Sequence, residues 1–139
     1  MFSICYAPID VDRLANGLAI SSTGALVTFT GLVRDCNNGK SVLEIEYELF
    51  DRMVLKEAES IILNGLERFS IQAVKAVHRG GVIKVGEAAI FLGVTAMHRK
   101  DAFKAAEYLM NQFKHQLPIW KKETYSDQSC EWVFCHCGG

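Results

Sequence analysis

Phe103, Ala106, Met110, Phe113 and Leu117 recur at spacings of three and four, which puts an apolar stripe along a helix from about Lys100 to Leu117. Gln116-Leu117-Pro118 ends that helix, because proline disfavours helical geometry in the residue before it and has no N–H for the ladder. Ile119-Trp120-Lys121-Lys122-Glu123-Thr124-Tyr125 follows at once, and its β-branched and aromatic content predicts a strand. A sharp turn at Pro118 can bring Lys121 back toward Lys114.

At roughly 100° per residue, Lys114 lies about 70° from the centre of the stripe, whereas Lys104 and His115 lie about 150° or more away and face water. A lysine at such a margin lays its methylenes along the core and holds its ammonium over a neighbouring cleft. His98 and Arg99 stand just before the same helix, so cationic positions gather around it. A single exposed lysine near a helix end is ordinary, favourable to the macrodipole and to solubility. The constellation is what points to an anion-binding site.

The rest of the chain reads as short strands and two further helices. Phe2 to Ala7 is a strand and Ile9 to Leu18 a helix, with Asp10 and Asp12 suited to its first turn. Gly24 to Val33 is strongly strand-like, with Arg34 at its end, and Asp35 to Lys40 is turn material around Asn37-Asn38-Gly39. Ser41 to Phe50 sets Val42, Leu43, Ile45, Tyr47 and Leu49 against Glu44, Glu46 and Glu48, a half-exposed strand expected to pair with its predecessor. Asp51 to Phe69 is a helix whose Met53, Ala58, Ile61, Ile62, Leu66 and Phe69 can cover a sheet. Ala73 to His78 and Ala88 to Thr95 are strands bracketing a glycine-bearing stretch. Helices mixed with hairpins predict the α+β class, a sandwich of helices packed on a mostly antiparallel sheet, and not a doubly wound fold.

At 139 residues and 50% hydrophobic content the chain suits one domain, residues 1–139, with residues 130–139 as a short C-terminal tail. A formal charge of −1 argues against a nucleic-acid-binding surface, while a local basic pocket suits a small anion. No secretory leader is read at the N-terminus, and no apolar run approaches the ~18 residues of a membrane span, so a soluble, cytoplasmic protein is expected. Five cysteines, an odd number with Cys5 and Cys36 isolated and the rest crowded at the end, are a poor disulfide framework and read as free thiols. Cys130 and Cys135-His136-Cys137 lack the paired spacing of a zinc site, so no metal is expected. Gly80-Gly81 has neither of the phosphate-loop glycine patterns.

The chemistry open to these residues is anion binding with lysine-assisted catalysis. Arg34 offers a planar donor fork, and His98 and Arg99 add donors near a helix start. A lysine close to other cations and partly desolvated has its neutral form favoured, which would let Lys114 and Lys121 work as bases or nucleophiles. Neither a Ser/His/Asp triad nor a carboxylate pair is evident. His78 and Arg79 read as structural.

The runs Val27-Thr28-Phe29-Thr30-Gly31-Leu32-Val33-Arg34, Val77-His78-Arg79-Gly80, Gly93-Val94-Thr95-Ala96-Met97-His98-Arg99 and Phe113 to Glu123 resemble the large, catalytic subunit of molybdopterin synthase, the MoaE family. The resemblance spans roughly Gly24 to Trp132, with the motifs in the family's order, and implies a hammerhead-like α+β domain. It implies an enzyme of molybdenum-cofactor biosynthesis that installs the two dithiolene sulfurs on cyclic pyranopterin monophosphate, with no cofactor of its own. The sulfur would arrive as a thiocarboxylate on the Gly-Gly C-terminus of a small ubiquitin-like subunit, MoaD-like, in a heterotetramer built on a homodimer of large subunits. Residue by residue, the resemblance makes Lys114 and Lys121 catalytic, Arg34, His98 and Arg99 substrate- and anion-binding, and Phe29 and Met110 pocket-lining. By residue type alone, Phe29 and Met110 read as core.

Two departures stand out. Only Phe134 to Gly139 follow Val133, where the family usually continues and supplies a basic residue to the neighbouring subunit; His136 is the sole basic candidate here. The chain's own Gly138-Gly139 imitates the partner's tail. The same cations would also suit a non-catalytic module that docks such a tail or a phosphorylated ligand. An unrelated lysine-dependent phosphate-handling enzyme would share the anion site but give no reason for a protein tail to bind.

Overall fold

The computed structural model describes residues 1–134. In chain order its elements are β1 (Phe2–Cys5), α1 (Val11–Asn16), β2 (Ala25–Leu32), β3 (Cys36–Asn37), β4 (Lys40–Leu49), α2 (Asp51–Arg68), β5 (Ala73–Arg79), β6 (Gly81–Lys84), β7 (Ala88–Ala96), α3 (Arg99–Gln116), β8 (Ile119–Tyr125) and β9 (Cys130–Phe134). One sheet has the order β1-β5-β7-β2; the other runs β3-β4-β8-β9, with β6 paired to the free side of β4. Every pairing is antiparallel except β1 with β5. The α+β class and the mostly antiparallel pairing are as the sequence predicts.

The helices bury on the first sheet. Val54, Ala58, Ile61, Ile62 and Gly65 of α2 join Ala105, Leu109 and Phe113 of α3 over Ala76, Leu92 and Val94 of the sheet. Burying a Leu or Phe here contributes about 1.5–3 kcal/mol each. Both helices sit rotated relative to the stripes read from sequence: Phe103 and Met53 are 61% and 60% exposed, and Ala102 and Val54 are buried instead. The reason is close approach. A Cβ on Gly65 would stand 3.0 Å from Cδ2 of Leu109, so α2 comes close to α3 at its glycine, and Ala102, Ala105 and Ala106 of α3 are buried while Phe103 is not.

The expected pairing of the 41–50 strand with its predecessor is not what forms. β2 pairs with β7, with a register shift at Gly31/Leu32. The chain then leaves the first sheet: the N–H of Val33 donates to Glu87 and that of Val42 to Asp35, and β4 opens the second sheet between β6 and β8. The glycine-bearing stretch is itself part of that sheet. Gly81, at φ +84°, makes the corner that lifts β6 off β5 and onto β4. Val33, Val42, Ile45, Ile83, Ala89 and Tyr125 form a second, smaller core there. The first half of the stretch read as a tail is strand β9, hydrogen-bonded along β8.

Candidate active site

Between the two cores lies a cleft of about 400 Å³, bounded by the end of β2, the C-terminal half of α3 and the inward faces of β4 and β8. Pro118 is the pivot. The Leu117 N–H closes the last turn of α3 on Phe113, and the Ile119 N–H donates to Leu117, so the chain reverses and enters β8 without a loop. Along β8 the period of two sends Ile119, Lys121, Glu123 and Tyr125 inward. Lys114, from the last turn of α3, and Lys121 therefore line one cleft, with Arg34 at its exposed rim.

Phe29 and Met110 are half-buried: each packs against the larger core and also lines the cleft, so neither a purely core nor a purely ligand role describes them. Gly31 widens the cleft wall, since a Cβ there would stand 2.8 Å from Cγ2 of Ile90. His98 and Arg99 are elsewhere. His98 occupies the N-cap position of α3 with no side-chain capping bond, both are exposed, and the intervening helix at about 1.5 Å per residue puts them roughly 22–24 Å from Lys114. Within one chain they do not share its cleft.

Sequence reasoning missed a buried carboxylate. Glu123, 2% exposed, accepts from Nδ2 of Asn37 at 2.8 and 3.0 Å on its two oxygens and from the Tyr125 hydroxyl at 2.9 Å. Lys121 Nζ lies 3.8 Å from Oε2 of the same carboxylate. Burial, reinforced by the bonds to Glu123 and Glu131, pushes the Tyr125 phenol upward, so it stays a donor. A Lys and a Glu two apart on the inward face of a strand was the available signal. The second omission is His78, a polar residue on the apolar face of β5, which also lines the cleft.

The cleft thus presents three cations and one carboxylate on an apolar frame, suited to holding a small anion while moving protons. Among the described residues, Cys5, Cys36 and Cys130 are free thiols and no group of three His, Cys, Asp or Glu side chains is placed to hold a metal. Cys135-His136-Cys137 and Gly138-Gly139 lie outside the described residues. No described helix is long and apolar enough to cross a membrane.

Fold and cleft together define a class, an α+β domain with a lysine-lined pocket. Residues 4–116 match the family described as MoaE protein. The molybdopterin synthase catalytic subunit of Pyrococcus abyssi is 41% identical over 124 residues, covering 89% of this chain and 83% of that one. The crystal structure of molybdopterin synthase from Staphylococcus aureus superimposes with a TM-score of 0.87 at 32% identity, covering 94% of each chain. A complex of subunits 1 and 2 of molybdopterin-converting factor from Helicobacter pylori shares the fold, with a TM-score of 0.78, 19% identity and coverage of 96% and 88%. The chain belongs to the MoaE family. It is an enzyme subunit of molybdopterin biosynthesis, with its part in the sulfur transfer that builds the molybdenum cofactor.

Proposed function

We propose that the cleft between α3 and β8 is where sulfur passes from the C-terminal thiocarboxylate of a small ubiquitin-like subunit to cyclic pyranopterin monophosphate. Arg34 holds an anionic group at the rim. Lys114 and Lys121 supply protons to departing oxygens and steady the negative charge that develops as sulfur adds. Glu123 keeps Lys121 oriented, and Phe29 and Met110 give the pterin an apolar wall. The single observation that carries this is the convergence of Lys114 and Lys121, from two elements joined through Pro118, on one cleft.

His98 and Arg99 serve the same chemistry only if a second copy of the chain brings them, because α3 holds them roughly 22–24 Å away. A homodimer carrying two small subunits meets that need, and the pairing of this fold with a second subunit in the Helicobacter pylori complex supports the small partner. In this reading the chain acts as one domain in the cytoplasm.

The test is conversion of the cyclic pterin with thiocarboxylated partner. Lys114→Ala and Lys121→Ala should each bind partner yet convert little pterin, and near-wild-type rates in both would end the proposal. Mixing Lys114→Ala with Arg99→Ala subunits should restore part of the rate through mixed dimers.

A further inference from the structure

The floor of the cleft is a row across three strands: the register pairs His78 of β5 with Ile90 of β7, and Ile90 with Gly31 of β2. Along β5, Val74 and Ala76 point the same way as His78 into the larger core. A histidine ending so apolar a row needs a reason.

Its surroundings fix its chemical form. His78 is 5% exposed, and its Nδ1 lies 2.9 Å from the Arg79 carbonyl oxygen, which can only accept. Nδ1 therefore carries the proton and Nε2 the lone pair. The ring stands edge-on to Tyr47, centroids 5.0 Å apart at 68°, which locks its plane. Burial, opposed by the Arg79 carbonyl and aided by the charge of Lys114, lowers its pKa to about 4. The imidazole is thus a neutral acceptor under the field of one of the cleft lysines. The other ionisable groups lining this cleft are Tyr47 on β4, Lys121 and Glu123 on β8, Arg34 beyond β2 and Cys36 on β3.

We propose that His78 is a positioning residue for Lys114: its Nε2 accepts a hydrogen bond from the lysine amine at the cleft floor and sets where that amine points. A carboxylate there would neutralise the ammonium, whereas a neutral imidazole orients it and leaves its charge for the substrate. The two lysines are then held by unlike partners, Lys121 by buried Glu123 and Lys114 by His78. This assignment rests on the function proposed above, for which Lys114 is catalytic.

Two variants test it. His78→Phe keeps a ring against Tyr47 and removes both nitrogens; His78→Gln restores an acceptor at the reach of Nε2. Each is followed by pterin conversion across pH and by the ¹³Cε resonance of Lys114, assigned by its loss in Lys114→Arg. We expect His78→Phe to lower kcat about tenfold or more and to move the pH–rate profile, with KM held within about twofold. The Lys114 resonance should shift in His78→Phe and return toward its original place in His78→Gln, as should kcat. An unshifted resonance in His78→Phe, or a loss of rate that tracks lower thermal stability and is not relieved in His78→Gln, overturns the assignment. The resonance needs no turnover, so it decides the role of His78 even if the wild-type protein fails to convert the pterin, an outcome that would sink the proposed function instead.

Discussion

Lys121 and Glu123 are two residues apart on one strand, and their side chains meet at 3.8 Å inside the protein, with only 17% and 2% of each exposed. A pair this deep differs from a surface salt bridge, because removing one member leaves the other's charge without water to replace it.

Replacing Glu123 by Ala therefore strands Lys121 and Nδ2 of Asn37 and leaves the Tyr125 hydroxyl only Glu131, at 3.2 Å. A loss of about 3 kcal/mol or more in unfolding free energy is expected. Glu123→Gln keeps acceptor capacity and should lose less stability, while still lowering sulfur transfer through a misplaced Lys121. Urea denaturation of both variants beside the turnover assay checks this; equal stability of Ala and wild type would show that the carboxylate is not held as described.

For the lysines themselves the expected cost is catalytic. Lys114→Ala and Lys121→Ala should each lower kcat by about 10²-fold or more, the usual contribution of a positioned proton donor. Calorimetric titration with the small subunit should find its affinity little altered, separating loss of chemistry from loss of binding.

Arg34 stands at the rim and is exposed, so its removal leaves no buried charge unpaired. Arg34→Ala should fold normally and raise KM for the anionic substrate by about tenfold, the worth of a charge-assisted hydrogen bond of 1.5–3 kcal/mol partly screened at the surface. Steady-state kinetics at two salt concentrations would reveal both effects.

His78 gives stability a pH dependence of known sign. Folded, it takes a proton only at about 4; unfolded, at its ordinary 6.5. Between those values the unfolded chain binds more protons, so this stabilising contribution is whole above about pH 6.5 and is lost as pH falls toward 4, by about 3 kcal/mol in all. Denaturation at pH 7 and pH 5 should show a larger drop for wild type than for His78→Phe, and parallel curves would refute the burial of a neutral imidazole.

In the larger core, Leu109 is fully buried against Gly65. Leu109→Ala should cost 2–5 kcal/mol, because the close approach of α2 and α3 leaves little room to collapse. Thermal melts would register it, and a loss under about 1 kcal/mol would mean that the interface relaxes.

Much of the architecture was legible locally. The period of three and four, ended by Pro118, marks α3 nearly to the residue; α1 is shorter than expected, and Asp10, expected in its first turn, caps it instead with an oxygen accepting from the Arg13 N–H at 3.1 Å. Strand pairing was less legible. β4 looks like the hairpin partner of β2, yet the bulge at Gly31/Leu32 and the crossing of Val33 to Glu87 divert the chain into a second sheet. Helix rotation was hidden too, because a stripe containing Phe103 and a stripe of alanines are equally periodic, and only the distance between α2 and α3 chooses between them.

The amino-acid order by itself determined the three helices and the longer strands, though not β3, β6 or β9, that Lys114 and Lys121 straddle a proline turn, and the family the motifs belong to, because these depend on neighbours a few positions away. Only the tertiary structure decided that Glu123 and His78 reach the same cleft as those lysines and that His98 and Arg99 do not. Those facts depend on which strands pair and on the length of a rigid helix, and both are set by packing between residues far apart in the chain.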